Sequence, residues 1–212
     1  MELILAGATG LVGAEVLRQA ILDPDITKIR LILRRPIPLQ NDKLETVVVE
    51  DFDQLGSFPR PNPNCVAICS LGATIKKAGS QEVFRKADYD SVLNFAKYCA
   101  DVQSFVVVSA MGANAGAHFF YSRVKGETEQ ALERLGLQRL VIFQPGLLVG
   151  DRIEQRFGEQ VGIQAFHLIE RVLPNAINRN WATKVSTLAT ALLRAAKETA
   201  RGVHRISASK II

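Results

Sequence analysis

The sequence has no long uninterrupted apolar run and no cluster of one charge. No apolar stretch in its 212 residues approaches the length of a membrane span. The opening residues Met1–Leu5 carry no basic region, so we expect no signal peptide and, by default, a cytoplasmic protein. The net charge of +5 comes from scattered Lys and Arg residues. We therefore expect a mildly basic protein with a phosphate-bearing ligand, and neither a nucleic-acid-binding nor a membrane-spanning one.

Cysteine is scarce, and the three residues present are Cys65, Cys69 and Cys99. An odd number without a signal peptide argues against a disulfide framework. Cys65 directly precedes the predicted strand Val66–Ser70 and Cys69 lies within it; four residues of extended chain span about 13 Å, too far for a disulfide. No histidine lies near them at a metal-ligand spacing, so we expect no metal site. We predict that all three are small buried apolar side chains.

Short apolar runs alternate with longer helical patterns along the chain. The helical patterns cover 11–22, 81–100, 118–135 and 183–200. Strands that are apolar throughout and separated by helices are typical of a parallel sheet covered on both faces. We predict one α/β domain over 1–212, a doubly wound parallel sheet (a Rossmann fold) with strand order 3-2-1-4-5-6 and a small C-terminal extension in which 151–180 lies on the substrate side. The six predicted strands are Glu2–Ala6, Ile29–Leu33, Leu44–Val49, Val66–Ser70, Phe105–Ser109 and Arg139–Phe143.

A glycine-rich turn joins the first strand to the first helix. A dinucleotide needs its pyrophosphate close to backbone N–H groups at a helix N-terminus, where larger side chains would block the approach. Gly7 is predicted to make the tight turn, Gly10 to let the phosphates approach the backbone and Gly13 to let the helix pack against the sheet. The alternative is that these are only turn and cap residues, but the strand before and the helix after favour dinucleotide binding. The whole motif reads Gly7-Ala8-Thr9-Gly10-Leu11-Val12-Gly13.

The residues after the second strand bear on the choice of dinucleotide. A site for NAD usually places an acidic residue there to bind the ribose 2′-hydroxyl. Here Arg34 and Arg35 take that place, and planar guanidinium groups pair well with phosphate. This favours NADP(H) over NAD(H), the alternative being two solvated arginines. Asp51 and Phe52, at the end of the third strand, are predicted beside the adenine; Asp51 would accept a hydrogen bond from its amino group, or is a plain turn acid.

One of the three tyrosines has a lysine four residues later. Tyr121 and Lys125 share one face of a predicted helix, and Ser109 ends the fifth strand at the edge of the sheet where ligands bind. Carbonyl reduction needs a proton donor, and a tyrosine serves when a nearby ammonium favours its phenolate. The lysine can also hold the nicotinamide ribose, and a serine hydroxyl can stabilise charge on the substrate oxygen. Alone, the pair would be an ordinary surface arrangement; with Ser109 and the glycine turn it predicts a catalytic site.

The helix that carries this pair is predicted to be amphipathic. Apolar periodicity places one face against the core and leaves the acidic residues in solvent. The residues predicted to be buried are Val124, Ala131 and Leu135, and those predicted to be exposed are Glu127, Glu129 and Glu133.

Together, the Gly7–Gly13 turn, Ser109 and the Tyr121/Lys125 pair resemble the short-chain dehydrogenase/reductases, over nearly the whole chain. The resemblance implies an oxidoreductase in which Tyr121 is the acid/base, Lys125 assists it and Ser109 polarises the substrate.

Three shorter motifs resemble, more narrowly, the atypical subgroup that includes the Tat-interacting oxidoreductase-like proteins. They are Ser70–Thr74, Tyr121–Gly126 and Gln144–Leu148. The resemblance implies that the first and third motifs line the cofactor, the ribose by Leu71, Gly72 and Ala73 and the nicotinamide by Pro145, Gly146, Leu147 and Leu148.

The helix predicted over 81–100 departs from the pattern of this family. Many members carry an asparagine there that supports a proton-relay water, and matching the motif places Asp88 at that position. An ionised aspartate accepts hydrogen bonds but does not donate them, so it stays open whether the relay carries over.

Two hypotheses of function follow. The first is an NADP(H)-dependent oxidoreductase acting on a small carbonyl or alcohol, in a pocket closed by 111–113, by Phe119 or Phe120 and by 151–170. The second is a regulatory or scaffold protein that senses NADP(H) and binds a protein partner. The intact tyrosine–lysine pair favours the enzyme, and the aspartate at position 88 favours the second hypothesis.

Overall fold

The computed structural model describes residues 1–149 and 182–211, and its centre is a seven-stranded parallel sheet. The strand order is β3-β2-β1-β4-β5-β6-β9, and every neighbouring pair in this sheet is parallel. The predicted order of the first six strands is therefore confirmed. A short parallel pair, β7 with β8, lies apart from the main sheet. The strands are β1 (Glu2–Ala6), β2 (Lys28–Leu33), β3 (Leu44–Val48), β4 (Val66–Cys69), β5 (Ser104–Val108), β6 (Arg139–Gln144), β7 (Leu147–Val149), β8 (Ala182–Lys184) and β9 (Gly202–Ser207).

The edge strand β9 was not expected from the sequence. Its residues read Gly-Val-His-Arg-Ile-Ser, without the continuous apolar run that marks the central strands. It pairs with β6 on one side only, and Val203 is 47% exposed. A largely exposed edge strand needs few apolar residues, so its sequence lacks the apolar run by which the central strands are predicted.

The helices cover both faces of the sheet. Their bounds match the predicted segments closely, except that the segment predicted over 81–100 is interrupted by one turn of π-helix at Lys86–Asp90. Short 3₁₀ turns cover Phe52–Ser57 and Ala208–Lys210. The α-helices are α1 (Leu11–Leu22), α2 (Ile75–Ala78), α3 (Gln81–Arg85), α4 (Ser91–Tyr98), α5 (Phe120–Glu133) and α6 (Val185–Lys197).

Two apolar cores lie on opposite faces of the sheet. Successive side chains of a strand point to opposite faces, so Leu3 and Leu5 pack with α1 and α6, whereas Ile4 and Ala6 pack with α4 and the 3₁₀ turn that follows β3. The second core contains all three cysteines, which are free and buried as predicted. Burial raises the pKa of Cys69 to about 12, so its thiol stays protonated.

Within 1–149 and 182–211, no helix combines the length and the apolarity that a membrane crossing needs. The segment 151–180, predicted on the substrate side, and the pocket wall predicted over 151–170 lie outside the described residues.

Candidate active site

The glycine-rich turn packs as closely as its sequence suggested. Gly7 has a φ of +87°, which favours glycine, and a Cβ there would lie 2.6 Å from the Ser70 carbonyl group. A Cβ on Gly13 would overlap the Gly7 carbonyl and lie 2.5 Å from Ser70 Oγ. The first turn of α1 thus lies directly against the ends of β1 and β4. The predicted packing roles of Gly7 and Gly13 are confirmed.

The N-terminus of α1 is open to an anion. Gly10 is the N-cap, in extended conformation with no side-chain cap, and Leu11 is 37% exposed. The first N–H groups of a helix have no partner within it, and the helix dipole places partial positive charge there. Both features fit a phosphate group, and the glycine side of the turn leaves room for it.

The loop after β4 lies beside this turn and contacts a buried ion pair. Asp88 is 1% exposed, and its Oδ2 accepts a hydrogen bond of 2.7 Å from the backbone N–H of Ala73. Its Oδ1 lies 2.7 Å from Lys125 Nζ, a close ionic contact whose angles fall outside those of a directed hydrogen bond. A Cβ on Gly72 would lie 3.6 Å from the same Nζ. Leu71, Gly72 and Ala73 are thereby brought next to Lys125.

Lys125 is a buried ammonium one helical turn after Tyr121. Burial alone would lower its pKa, but the anionic forms of Tyr121 and Asp88 outweigh this effect, so the pKa of Lys125 is raised above its ordinary value. Tyr121 is half-buried, and its ring packs 5.6 Å from that of Phe84 between centroids. The tyrosine and the lysine therefore share one face of α5, as predicted.

Ser109 has a partner that the sequence interpretation missed. Its hydroxyl donates a hydrogen bond of 2.5 Å to Glu129, which is 5% exposed. The prediction that Glu129 is exposed is therefore wrong. Glu129 lies one turn beyond Lys125 on α5, so it faces the sheet rather than solvent. The hydroxyl of Ser109 already donates its hydrogen bond to Glu129, and this weakens its predicted role as a donor to substrate.

The predicted adenine-side residues have different outcomes. Arg34 and Arg35 follow the end of β2 directly, and both are exposed. Asp51 forms an ion pair with Lys86, so its carboxylate is shared with a neighbour. The side chain of Phe52 is buried and packs edge-on against another phenylalanine of the second core, so its placement beside the adenine stays a prediction that its backbone would have to fulfil. Phe52 begins the 3₁₀ helix that follows β3, and its side chain belongs to the second core.

The segment after β6 turns back over the C-terminal edge of the sheet. The carbonyl of Pro145 accepts a hydrogen bond from Met111 N, and Gly146 N donates one of 3.2 Å to Thr183 Oγ1. Leu147 and Leu148 then continue in β7, where Leu147 is 43% exposed. This segment therefore lies over the loop that follows β5, at the edge where the resemblance places the nicotinamide.

The loop between β5 and α5 is fastened to α5 itself. A Cβ on Gly126 would overlap the backbone of Asn114 and Ala115, so the loop lies directly on the helix at this glycine. Asn114 N donates to the Ser122 carbonyl, and Arg123 donates to two loop carbonyls. Of the predicted pocket walls, Phe119 is 53% exposed and Phe120 packs against Phe84.

The fold and this site define an atypical short-chain dehydrogenase/reductase of the Rossmann type. The glycine turn, the loop after β4 and the tyrosine–lysine pair of α5 come together at the C-terminal edge of a parallel sheet. A family model described as HIM1 matches residues 24–177, and the chain belongs to this HIM1 family.

Two curated relatives cover most of the chain. Protein fmp52, mitochondrial, of Emericella nidulans is 32% identical over 98% of this chain and 92% of its own length. Protein HTATIP2 of Rattus norvegicus is 32% identical over 91% of this chain and 79% of its own length. The expectation of a cytoplasmic protein is wrong, because several of the fungal relatives are named as mitochondrial proteins.

Solved structures support the fold. MoeE5 in complex with UDP-glucose and NAD has a TM-score of 0.70 at 14% identity, over 98% of this chain and 75% of its own. The human epimerase family protein SDR39U1 with NADPH has a TM-score of 0.65 at 17% identity, over 97% of this chain and 74% of its own. At these identities, the likeness establishes the architecture alone.

Proposed function

We propose that this protein is an NADP(H)-dependent oxidoreductase acting on a small carbonyl or alcohol, with Tyr121 as its acid/base. The observation that carries the proposal is a convergence of distant residues. Gly7 and Gly13 pack on Ser70, and two residues further along, Gly72 lies beside Lys125. A helix N-terminus suited to phosphate and a tyrosine–lysine pair suited to proton transfer are thus connected through one loop.

The residues of this cradle fit a nicotinamide dinucleotide. The N–H groups at the start of α1 would hold its pyrophosphate, and the 71–73 backbone with Lys125 would hold the ribose. Related folds are solved with NAD and with NADPH, so the fold alone does not select between them. Arg34 and Arg35, exposed where an acid would bind a 2′-hydroxyl, favour NADP(H). The bound cofactor would supply hydride transfer.

In this proposal the protein itself carries out proton transfer and stabilises the charges that the transfer creates. Tyr121 would give its phenolic proton to the oxygen of a carbonyl as that oxygen gains charge, or take it back from an alcohol. Lys125 would stabilise the phenolate by its positive charge, which the neighbouring carboxylate of Asp88 preserves against the effect of burial. Ser109 enters this proposal chiefly as an acceptor, because its hydroxyl already donates its hydrogen bond to Glu129.

The proposal is tested with a substrate screen and one substitution. NADPH oxidation is followed with a panel of aldehydes, ketones and quinones, and the active compound is then used with Tyr121→Phe. General-acid catalysis contributes roughly 10²- to 10⁴-fold, so turnover should fall by about that factor. NADPH affinity should stay within about threefold, because the glycine turn holds the phosphates. Tyr89→Phe, which removes a hydroxyl from a half-buried ring outside the site, is the matched control. Unchanged turnover in Tyr121→Phe would remove the assigned role.

A second candidate is an NADP(H) sensor or scaffold that binds a protein partner. Two side chains that already have partners within the protein favour it. Ser109 donates its hydrogen bond to Glu129, and Asp88, which stands where the family pattern has an asparagine for a proton relay, forms an ion pair with Lys125. If NADPH binds and no compound in a broad screen is turned over, this candidate replaces the enzyme.

A further inference from the structure

Asp88 is fixed from both its backbone and its side chain. It lies in the single π-helical turn between α3 and α4, a local widening that often occurs at functional sites. Its backbone carbonyl accepts a hydrogen bond of 3.0 Å from Thr128 Oγ1 on α5. Its carboxylate reaches the Ala73 N–H on one side and Lys125 on the other. One buried carboxylate therefore joins the loop after β4 to the helix that carries Tyr121.

We propose that Asp88 is a positioning residue of the cofactor site, which keeps Lys125 charged and aimed beside Gly72 and ties it to the backbone of the 71–73 loop. The inference rests on the proposed binding of NADP(H), because its functional consequence is a lysine ready to contact the ribose. It assigns this aspartate a task different from an asparagine relay: the side chain holds a cation instead of a water.

Asp88 is the carboxylate in direct contact with Lys125, at 2.7 Å, and both side chains are buried. Among the described residues that affect its charge, α5 contributes the phenol of Tyr121, β4 contributes the thiol of Cys69, and the π-helical turn contributes Asp88. Burial raises the pKa of Cys69 to about 12, so the thiol is neutral at ordinary pH. Removing the Asp88 charge would therefore leave a buried ammonium, and burial favours the neutral amine.

The first test needs no cofactor and uses Asp88→Asn. In the wild type, the pKa of Lys125 is raised, so its contribution to stability is present below the unfolded-state value of about 10.4 and is lost only above it. In Asp88→Asn, burial should lower that pKa, so the folded chain binds fewer protons than the unfolded one. As the pH rises from about 7 to about 9.5, the unfolding equilibrium constant of Asp88→Asn should therefore fall relative to that of the wild type, by up to about tenfold per pH unit.

Two further variants make this result specific. Asp88→Asn/Lys125→Met leaves no titrating group at the pair, so the added pH dependence should vanish. Asp90→Asn removes an exposed acid two residues away and should follow the wild type. The measurement is urea unfolding at a series of pH values. If Asp88→Asn has the pH dependence of the wild type, the proposal is overturned.

The second test measures NADPH affinity by fluorescence at the same pH values. Wild-type affinity should vary little, whereas Asp88→Asn should lose at least about tenfold as the ammonium is lost, since one charge-assisted hydrogen bond disappears. The double variant should bind weakly at every pH. If the unfolding signature appears but the affinity of Asp88→Asn follows the wild type, Asp88 serves stability only and the proposal fails. If the wild type itself does not bind NADPH, the proposed function fails, and the unfolding data still decide whether Asp88 holds the charge of Lys125.

Discussion

The hydroxyl of Ser109 donates a hydrogen bond to the buried carboxylate of Glu129, with 2.5 Å between the two oxygens. Gln144 donates to the same carboxylate at 3.0 and 3.1 Å, and Arg205 lies 3.5 Å from it. These partners come from the ends of β5 and β6 and from β9. Glu129 therefore fastens α5, with its tyrosine and lysine, to three neighbouring strands at the edge of the sheet that carries the site.

We expect Glu129→Ala to lower the free energy of unfolding by about 2–4 kcal/mol, because it leaves buried donors without an acceptor. Ser109→Ala removes one hydrogen bond and should cost about 1 kcal/mol. Because the two side chains contact each other, the double variant should cost less than the sum of the two single ones. Urea unfolding of the four proteins gives the coupling.

Glu127→Ala is the matched control for this cycle. Glu127 lies two residues earlier on α5 and pairs with the partly exposed Arg85, and surface ion pairs contribute about 0–1 kcal/mol. A loss in Glu129→Ala no larger than in Glu127→Ala would show that the buried carboxylate does not fasten the helix.

The central sheet could be predicted from the sequence because a strand buried on both faces has a continuous run of apolar residues. A strand such as Val66–Cys69 has no exposed residue, so its apolar run is continuous. The glycine turn was equally clear, because close packing at Gly7 and Gly13 excludes any side chain. Both features depend on residues that are neighbours in the sequence, so one sequence is enough to predict them.

Buried charges were harder to predict, because they depend on partners distant in sequence. Polarity alone predicts that Glu129 lies in solvent, although its spacing of four from Lys125 places it on the same helix face. The family pattern matches Asp88 to an asparagine, but the pairing of Asp88 with a lysine 37 positions later follows only from the packing of the π-helical turn on α5. Helix periodicity could have found the first residue, and no local pattern could have found the second partner.

Two substitutions in the glycine turn should distinguish its role in packing from its role in phosphate binding. A Cβ on Gly13 overlaps backbone, so Gly13→Ala should destabilise the protein by about 2 kcal/mol or more and also weaken NADPH binding. A Cβ on Gly10 meets only the Gly7 carbonyl, at 3.3 Å, so Gly10→Ala should change stability much less. It should nevertheless weaken NADPH binding, because the methyl group stands where phosphates approach the helix. Thermal unfolding and fluorescence titration measure the two effects, and tight NADPH binding by Gly10→Ala would contradict the assigned phosphate site.

The arginines after β2 should set the preference between the two cofactors. A charge-assisted hydrogen bond contributes about 1.5–3 kcal/mol, so NADPH should bind at least about tenfold more tightly than NADH. Arg34→Ala/Arg35→Ala should erase this difference while leaving NADH affinity nearly unchanged. Calorimetry with both cofactors measures it.

A matched control removes two exposed arginines elsewhere in the chain, one in the last turn of α6 and one just before β9. Arg194→Ala/Arg201→Ala changes the net charge by the same amount, so any general attraction of phosphate to a basic protein is equal in both variants. Equal affinity of the unmodified protein for NADPH and NADH would remove the argument from Arg34 and Arg35.

Replacing Gly126 by alanine should destabilise the protein, whereas the same replacement at an ordinary helix glycine stabilises it. Replacing glycine by alanine inside a helix normally stabilises it by about 1 kcal/mol. On α5, however, a Cβ at Gly126 would overlap the backbone of Asn114 and Ala115, so Gly126→Ala must push the loop off the helix and should destabilise the protein by about 1–3 kcal/mol. Gly56→Ala is the control, because nothing lies within 4 Å of a Cβ there, and it should be neutral or slightly stabilising. Since the loop lies next to Tyr121, turnover of a substrate found in the screen should also fall in Gly126→Ala. A stabilised Gly126→Ala with full activity would show that the loop does not depend on its contact with the helix.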